Sequence, residues 1–340
     1  MSSSAALQQH ASVKPQRVSI RDVAERAGVG IATVSRALNS GQEINPDTRA
    51  QVVQVARDLG YVASARGRGL VSGRTDSIGV IIGREHLPVF LNPFYGEVLG
   101  GIELELEARG LNLVLTSLKR DHRLLAFAAG QRVDGLLVIG HDLPVSTLRD
   151  MQRHLPVVLI DRQEEDLSAV TSEHRAACAQ ITRHLIGQGC TRLAFLAEDL
   201  GNPNFRQRFL GFQDALEEAG LPLRPDWVQA ASPRLGGGYT ALTRVLEAGE
   251  GLPDGVVGAN DPVALEAIRA LLDAGLRVPG DVQVVGFDGL PSRLHLMGLT
   301  TMQIDRRELG RRAAQLLLET PDTPQHLELQ PHFVKGDSSR

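Results

Sequence analysis

Residues 18–39 read VSIRDVAERAGVGIATVSRALN, and their spacing decides the fold of the first part of the chain. Ser19 can cap the free N–H groups of a helix, with Asp22 three residues on as its capping-box partner. Ile20, Val23, Ala24 and Ala27 recur at helical spacing, and Gly28 supplies the positive φ that ends a helix. A second helix is predicted from Ile31 to Leu38, with Val34, Ala37 and Leu38 on one side. Residues 44–62, INPDTRAQVVQVARDLGYV, give a third. Asn45 is its cap, Pro46 its first residue, Val52, Val55, Ala56 and Leu59 its apolar stripe, and Gly60 its stop. Ala24, Gly28 and Val34 have the spacing of a helix-turn-helix. Ala24 must be small where the second helix crosses, Gly28 makes the tight turn, and Val34 packs into the angle. Ile31, Ala32, Ser35 and Arg36 are left on the outward face, which such a motif offers to a major groove.

Outward from this head the pattern changes twice. Residues 1–17 are polar, show no apolar period and read as a disordered tail. Residues 62–76, VASARGRGLVSGRTD, are rich in Gly, Ser and Arg and read as a linker. From Ile78 onward short apolar runs alternate with amphipathic helices. Strands are predicted at Ile78–Ile82, Leu113–Thr116, Gly135–Ile139, Val157–Ile160, Leu193–Leu196, Gly255–Val257 and Gln283–Phe287. Continuous apolar strands separated by helices imply buried parallel sheets. A body spanning 77–335 is long for one sheet, so two α/β lobes are expected behind an 18–61 head.

The 340 residues are 42% hydrophobic and 22% charged, ordinary for a globular chain. No run approaches the roughly 18 apolar residues of a membrane span, and the N-terminus lacks the apolar core of a secretory signal. Two cysteines, Cys178 and Cys190, make neither a disulfide framework nor a zinc cluster. A cytoplasmic protein is therefore expected. Charge is unevenly placed: residues 1–74 hold ten Lys/Arg against five Asp/Glu, the remainder 26 against 35. A basic end on an acidic body fits a polyanion-binding head.

The head string, with RTDSIGVII, NPFYGEVLGGIE, QRVDGLLVIG, PVVLIDR, RFLGFQDALEEAGL, GANDPVALEAIRAL, VQVVGFD and LTTMQIDRRELGRRAAQLLLE, resembles the lactose/galactose-repressor family over nearly all of the chain after the tail. The resemblance implies a small all-α head and a periplasmic-binding-protein-like body of two doubly wound lobes with ligand between them. It also implies a homodimer on a pseudo-palindromic duplex, a repressor by family habit, and no cofactor or metal. Ile31 and Ala32 would meet base edges, and Arg36 would fork onto a guanine. Thr33 and Ser35 would contact phosphates, with Ser19 and Gly30 completing the DNA-facing set. Gly30 departs from the family's usual serine cap, at a cost of a few tenths of a kcal/mol. The family's linker becomes a hinge helix on DNA, and Leu70, preceded by Arg68, would be its minor-groove wedge. Here Ala63 and Ser64 replace the usual Pro-Asn. Gly67 and Gly69 each cost a helix roughly 1 kcal/mol, which Arg66, Arg68 and Arg74 could offset through phosphates.

By the same resemblance Asp161, Arg208, Asn260 and Asp288 line an effector site, with Phe94 and Tyr95 from the other lobe. Asp161, Asn260, Asp261 and Asp288 each follow an apolar strand, where open α/β sheets hold ligands; the alternative for such an aspartate, Asp261 above all, is a helix cap. Such a ring suits a sugar. Three departures, Pro233 where the family often has an aromatic and Ile139 and Ile304 where some relatives are polar, weaken the case for stacking on a purine and leave room for a lost effector or one smaller or less polar than a disaccharide; a nucleoside-type effector is the other alternative. Other classes fit less well. The segment after Ile82, GREHLPVFLNPF, has no dinucleotide-binding Gly-rich turn. No phosphate loop or serine elbow occurs, so an enzyme is not expected. A transporter's solute-binding protein would need a signal peptide and have no use for the head.

Overall fold

The computed structural model describes residues 18–39, 44–61, 74–83, 93–117, 133–232, 235–249, 251–290 and 298–340. They form two compact units, divided between Thr75 and Asp76.

The described residues of the first unit form three helices, α1 (Ile20–Ala27), α2 (Ile31–Asn39) and α3 (Pro46–Asp58). The capping box forms as expected. The Ser19 hydroxyl accepts the Asp22 N–H, and the Asp22 carboxylate accepts the Ser19 N–H at 2.7 Å. That backbone bond holds the Asp22 carboxyl below its usual range. Gly28 adopts φ +67°, and Val29 N–H reaches the Ala24 carbonyl at 3.1 Å. Val23, Val34 and Val52 are fully buried together, with Ala24, Ala27, Ala37 and Ala56 around them. The small side chain of Ala24 and the apolar knob of Val34 therefore do what their spacing requires. Asn45 caps α3 through the Asp47 N–H at 2.8 Å. Gln51 ties α3 to the end of α1 by donating to the Ala27 carbonyl at 3.2 Å.

The second unit contains two six-stranded sheets. In the first lobe the order is β11-β5-β4-β3-β1-β2, all parallel: β1 (Ser77–Ile82), β2 (Asn112–Ser117), β3 (Gly135–Ile139), β4 (Val157–Ile160), β5 (Ser168–Ser172) and β11 (His326–Leu329). The second lobe has the order β12-β10-β9-β8-β6-β7: β6 (Leu193–Ala197), β7 (Val228–Ala230), β8 (Gly255–Gly258), β9 (Gln283–Asp288), β10 (Thr300–Gln303) and β12 (His332–Val334). Only β12 runs antiparallel to its neighbour. The α-helices among the described residues of this unit are α4 (Pro93–Glu107), α5 (Val145–Gln152), α6 (His174–Gly187), α7 (Pro203–Glu218), α8 (Gly237–Glu247), α9 (Asp261–Asp273) and α10 (Arg306–Glu319). None of the described helices is long and apolar enough to cross a membrane.

The chain passes between lobes three times, from β5 into α6, from β10 into α10, and from β11 to β12. As a result α10 packs on α4 and the first sheet, and α6 packs on α7 and the second. All seven predicted strands form. Five further ones, β5, β7, β10, β11 and β12, were not predicted, being short, polar or at sheet edges.

The expected end of the body at 335 is too early. Ser338 and Ser339 are buried. Val284 N–H donates to the Ser338 carbonyl at 2.8 Å, and the Ser338 hydroxyl donates back to the Val284 carbonyl at 2.7 Å. The last residues thus extend the hydrogen bonding of β9.

Candidate functional site

Two sites emerge from the sequence, one in each unit. On the head, Ser19, Gly30, Ile31, Ala32 and Arg36 are exposed, while Thr33 and Ser35 are half-buried. Ile31 is 45% exposed although it is a large aliphatic residue. Burial of Val34 and Ala37 beneath it fixes which face of α2 points outward. Gly30 opens the helix by backbone alone, its carbonyl accepting from Thr33 and Val34. Arg36 folds back on the Ala32 carbonyl at 3.4 Å. Arg68 and Leu70, with the whole 62–73 stretch, lie outside the described residues.

In the body, Phe94, Tyr95, Asp161, Arg208, Asn260 and Asp288 all line one cleft, open to solvent. It lies between the lobes at the carboxyl ends of β3, β4, β8 and β9. Asp161 directly follows β4 and so belongs to the first lobe with Phe94 and Tyr95, not with Arg208, Asn260 and Asp288 as expected. Tyr95 is 6% exposed and packs mainly into the first lobe's core. Phe94 meets it edge-on, with ring centroids 5.7 Å apart. Ile139 lines the cleft, but Ile304 is a core residue; Pro233 lies outside the described residues.

A chain of polar contacts crosses the cleft. Asn204, in the first turn of α7, donates to the Asp161 carboxylate at 2.8 Å and to its carbonyl at 2.9 Å. His174, the first residue of α6, lies 3.1 Å from the other Asp161 oxygen. Arg208 Nε donates to His174 Nδ1 at 3.3 Å. A guanidinium can only donate, so Nδ1 accepts and the imidazole proton sits on Nε2, aimed at Asp161. Arg208 Nη2 binds Asp288 at 2.8 Å, and Nη1 donates to the Ala259 carbonyl. The guanidinium lies 3.9 Å from the Phe287 ring centroid, a cation–π contact. Asn260 caps α9 through the Val263 N–H and donates to Glu198 at 2.6 Å.

These contacts set the charges. Burial raises the Asp161 pKa, but the His174 hydrogen bond with the nearby Arg208 and His141 outweighs it and holds the carboxyl below its usual range. Asp288 goes the other way, because burial and the Asp161 charge exceed the pull of Arg208 and Arg306. His141 also lines the cleft; its burial lowers the imidazole pKa despite the Asp161 charge. Asp261 is not the cap. Asn260 takes that role, while the Asp261 carboxylate accepts the Thr301 hydroxyl and the Leu290 N–H, each at 2.6 Å. Burial and the charge of Asp288 push Asp261 up to about 7.

Sequence reasoning missed His174, Asn204 and His141. Asn204 stands one helical turn before Arg208 and was within reach of the spacing argument. His174 could not be placed without β5.

Comparison with known proteins bears on both units. Residues 19–64 match the model for bacterial regulatory proteins of the lacI family, and residues 182–339 that for a periplasmic binding protein-like domain. The HTH-type transcriptional repressor PurR of Haemophilus influenzae is 32% identical, over 88% of this chain and 90% of its own. The structure of a transcriptional regulator CelR–cellobiose complex is 29% identical, with a TM-score of 0.71 over 95% of this chain and 100% of that one. A Lac repressor dimer bound to operator and the anti-inducer ONPF shares the fold at 24% identity, with a TM-score of 0.84 over 95% and 99% of the two chains. With the helix-turn-helix head, the two-lobed body and this identity along almost its whole length, the chain belongs to the lacI family of bacterial regulatory proteins.

Proposed function

We propose that this DNA-binding transcriptional regulator is a cytoplasmic, homodimeric repressor, not an enzyme, and that an uncharged sugar in the interlobe cleft sets its operator affinity. The pair Asp161 and Asp288 carries the ligand class. Two carboxylates approach the cleft from facing lobes, and each nitrogen of Arg208 already donates to a protein acceptor. Such a lining offers acceptors to neighbouring hydroxyls. An anion would meet both carboxylates with no uncommitted guanidinium among the described lining residues. The cellobiose complex of the CelR relative supports a sugar.

The same geometry supplies a switch. Asp161 joins the lobes through Asn204 and His174. A sugar hydroxyl taken up by Asp161 competes with those bonds, so the ligand binds one lobe arrangement better than another. Only such a difference moves the DNA equilibrium, and operator must then weaken ligand by the same factor. On the head, Ile31, Ala32 and Arg36 read bases, Thr33 and Ser35 with Ser19 and Gly30 hold phosphates, and Arg68 and Leu70 act at the hinge.

A thermal-shift screen of neutral sugars, sugar phosphates and nucleosides on the purified chain tests the ligand class. Neutral sugars are expected to raise the melting temperature; stronger stabilisation by sugar phosphates would reverse the reading. A nucleoside-type effector is the second reading, favoured by the Phe94 ring at the cleft. Selection from random DNA tests the rest. It should return pseudo-palindromes centred on a flexible pyrimidine–purine step, CG by family habit, and recovery of asymmetric sites would refute the two-fold head.

A further inference from the structure

The two lobes repeat each other more closely than their strand orders alone show. Helix α4 and helix α7 match at a fixed offset: Pro93 with Pro203, Gly101 with Gly211, Leu106 with Leu216. A Cβ at Gly101 would lie 1.9 Å from the Arg307 carbonyl oxygen, and one at Gly211 would lie 2.0 Å from the Arg175 carbonyl oxygen. Each pair of helices therefore crosses at the same point, which makes α10 the counterpart of α6. Their first residues, Arg306 and His174, correspond. So do Asp288 and Asp161, which stand at the end of β9 and just after β4 and both take positive φ, +110° and +57°.

Function follows the same repeat. At the first crossing, from β5 into α6, His174 reaches back to Asp161 in the lobe the chain has just left. At the second, from β10 into α10, Arg306 reaches back to the turn after β9. Its Nη1 donates to the Asp288 carbonyl and its Nη2 to the Gly289 carbonyl at 3.0 Å. The same guanidinium binds Glu97 on α4, with Nε 3.1 Å from the carboxylate. Arg306 is 2% exposed. A buried cation at a helix N-terminus opposes the helix dipole, so local preference does not explain it. The carbonyls and Glu97 do. Asp288 in turn is gripped by two guanidinium groups, Arg208 on its carboxylate and Arg306 on its carbonyl, in a backbone conformation that is strained for a non-glycine residue.

We infer that Arg306 is a positioning residue for the effector and the second of two interlobe latches: it fixes the Asp288–Gly289 turn and, through Glu97, ties that turn to the helix that carries Phe94 into the cleft. The inference rests on the cleft being the effector site. Movement of Asp288 on ligand contact is then passed directly to α4 in the opposite lobe, while His174 carries the reciprocal link from Asp161.

The test needs no ligand. Hydrogen exchange of the full chain is followed in peptides covering residues 283–290 and 93–107. Arg306→Lys keeps the charge but loses the fork, and Glu97→Ala removes the far partner. Each should accelerate exchange in both segments by roughly tenfold to a hundredfold, the expected effect of losing a charge-assisted hydrogen bond. The double variant should exceed neither single one. Glu97→Gln, which keeps an acceptor oxygen, should restore part of the protection. Arg149→Lys, at an exposed pair with Asp166, should leave both segments unchanged. Glu97 is 34% exposed, so its substitution keeps the test open if Arg306→Lys does not fold. Acceleration confined to one segment, or additive effects in the double variant, overturns the latch. A sugar screen without a binder would sink the effector reading and leave the exchange result standing; uncoupled exchange would sink the latch whatever the screen finds.

Discussion

Asp288 and Arg208 form a buried pair, yet replacing one or the other should have opposite consequences for stability. Arg208 is 4% exposed, and its removal strips Asp288 and His174 of their donor and leaves the Ala259 carbonyl unpaired. Breaking a buried pair in this way costs about 3–5 kcal/mol. For a body of this size each kcal/mol is worth roughly 2–4 °C, so Arg208→Met should lower the melting temperature by roughly 6–20 °C. Asp288 differs because burial and Asp161 already raise its pKa despite two neighbouring guanidinium groups. A carboxyl with a raised folded-state pKa contributes stability at low pH that is lost as pH rises through that pKa. At pH 7.5 its ionised form is therefore a burden. Asp288→Asn keeps an oxygen for Arg208 and drops the charge, so stability should hold or rise. The ligand loses a carboxylate acceptor, which should weaken binding well over tenfold. Calorimetry of both variants at pH 7.5, with operator titrations in the presence and absence of the screened sugar, reads both effects. Equal destabilisation by the two substitutions would refute the argument, as would an Asp288→Asn protein released from operator at the wild-type ligand concentration.

Other consequences can be checked separately. Asp261, pushed up to about 7, contributes stability that falls as pH rises from about 4 and is gone above about 7; Asp261→Asn should flatten that part of a melting-temperature profile between pH 5 and 8. Ser19→Ala removes the cap of α1 and should cost the head about 0.5–2 kcal/mol, read as a lower urea midpoint for the first unit. Leu70→Ala should weaken operator binding in a gel-shift titration without altering sugar binding. Gly67→Ala should tighten operator binding by roughly 1 kcal/mol per subunit if the hinge is helical on DNA, and weaker binding would mean that the glycine is needed for backbone shape.

The head was legible almost residue by residue, because its signals are local. A cap, a glycine turn and a buried valine lie within 16 residues, and the chain folds on them where they stand. Three of the six cleft residues were legible for a similar reason, since Asp161, Asn260 and Asp288 each follow an apolar run; Phe94, Tyr95 and Arg208 came only from the resemblance to the family. The lobe to which Asp161 belongs was not legible. That depends on β5, SAVTS, whose polar residues hide its buried place between β4 and β11, and on the crossing that follows it. The roles of His174 and Arg306 are harder still to read. Each opens a helix whose packing partner lies far away in sequence, and no periodicity within α6 or α10 says which sheet it will cover. The edge strands β11 and β12 alternate between half-buried and exposed over three or four residues, too little pattern to distinguish from loop.

The crossing of α10 into the first lobe also sets the order in which the protein can be completed on the ribosome. The head has all its parts once residue 61 has emerged. The first lobe does not, because Leu309, Ala313, Ala314 and Leu317 must cover its sheet and β11 must close its edge. Between Ser172 and Arg306 the ribosome makes the whole of the second sheet except β12, which at roughly 5–20 residues per second takes on the order of 10 s. Throughout that interval the nascent first lobe shows an open apolar face and an unpaired strand. The second lobe, waiting for β12 and for Ser338 and Ser339, is no better off. Both lobes therefore close within the last few dozen residues, and their exposure to chaperones and proteases during synthesis is set by this interleaving rather than by the stability of either finished lobe.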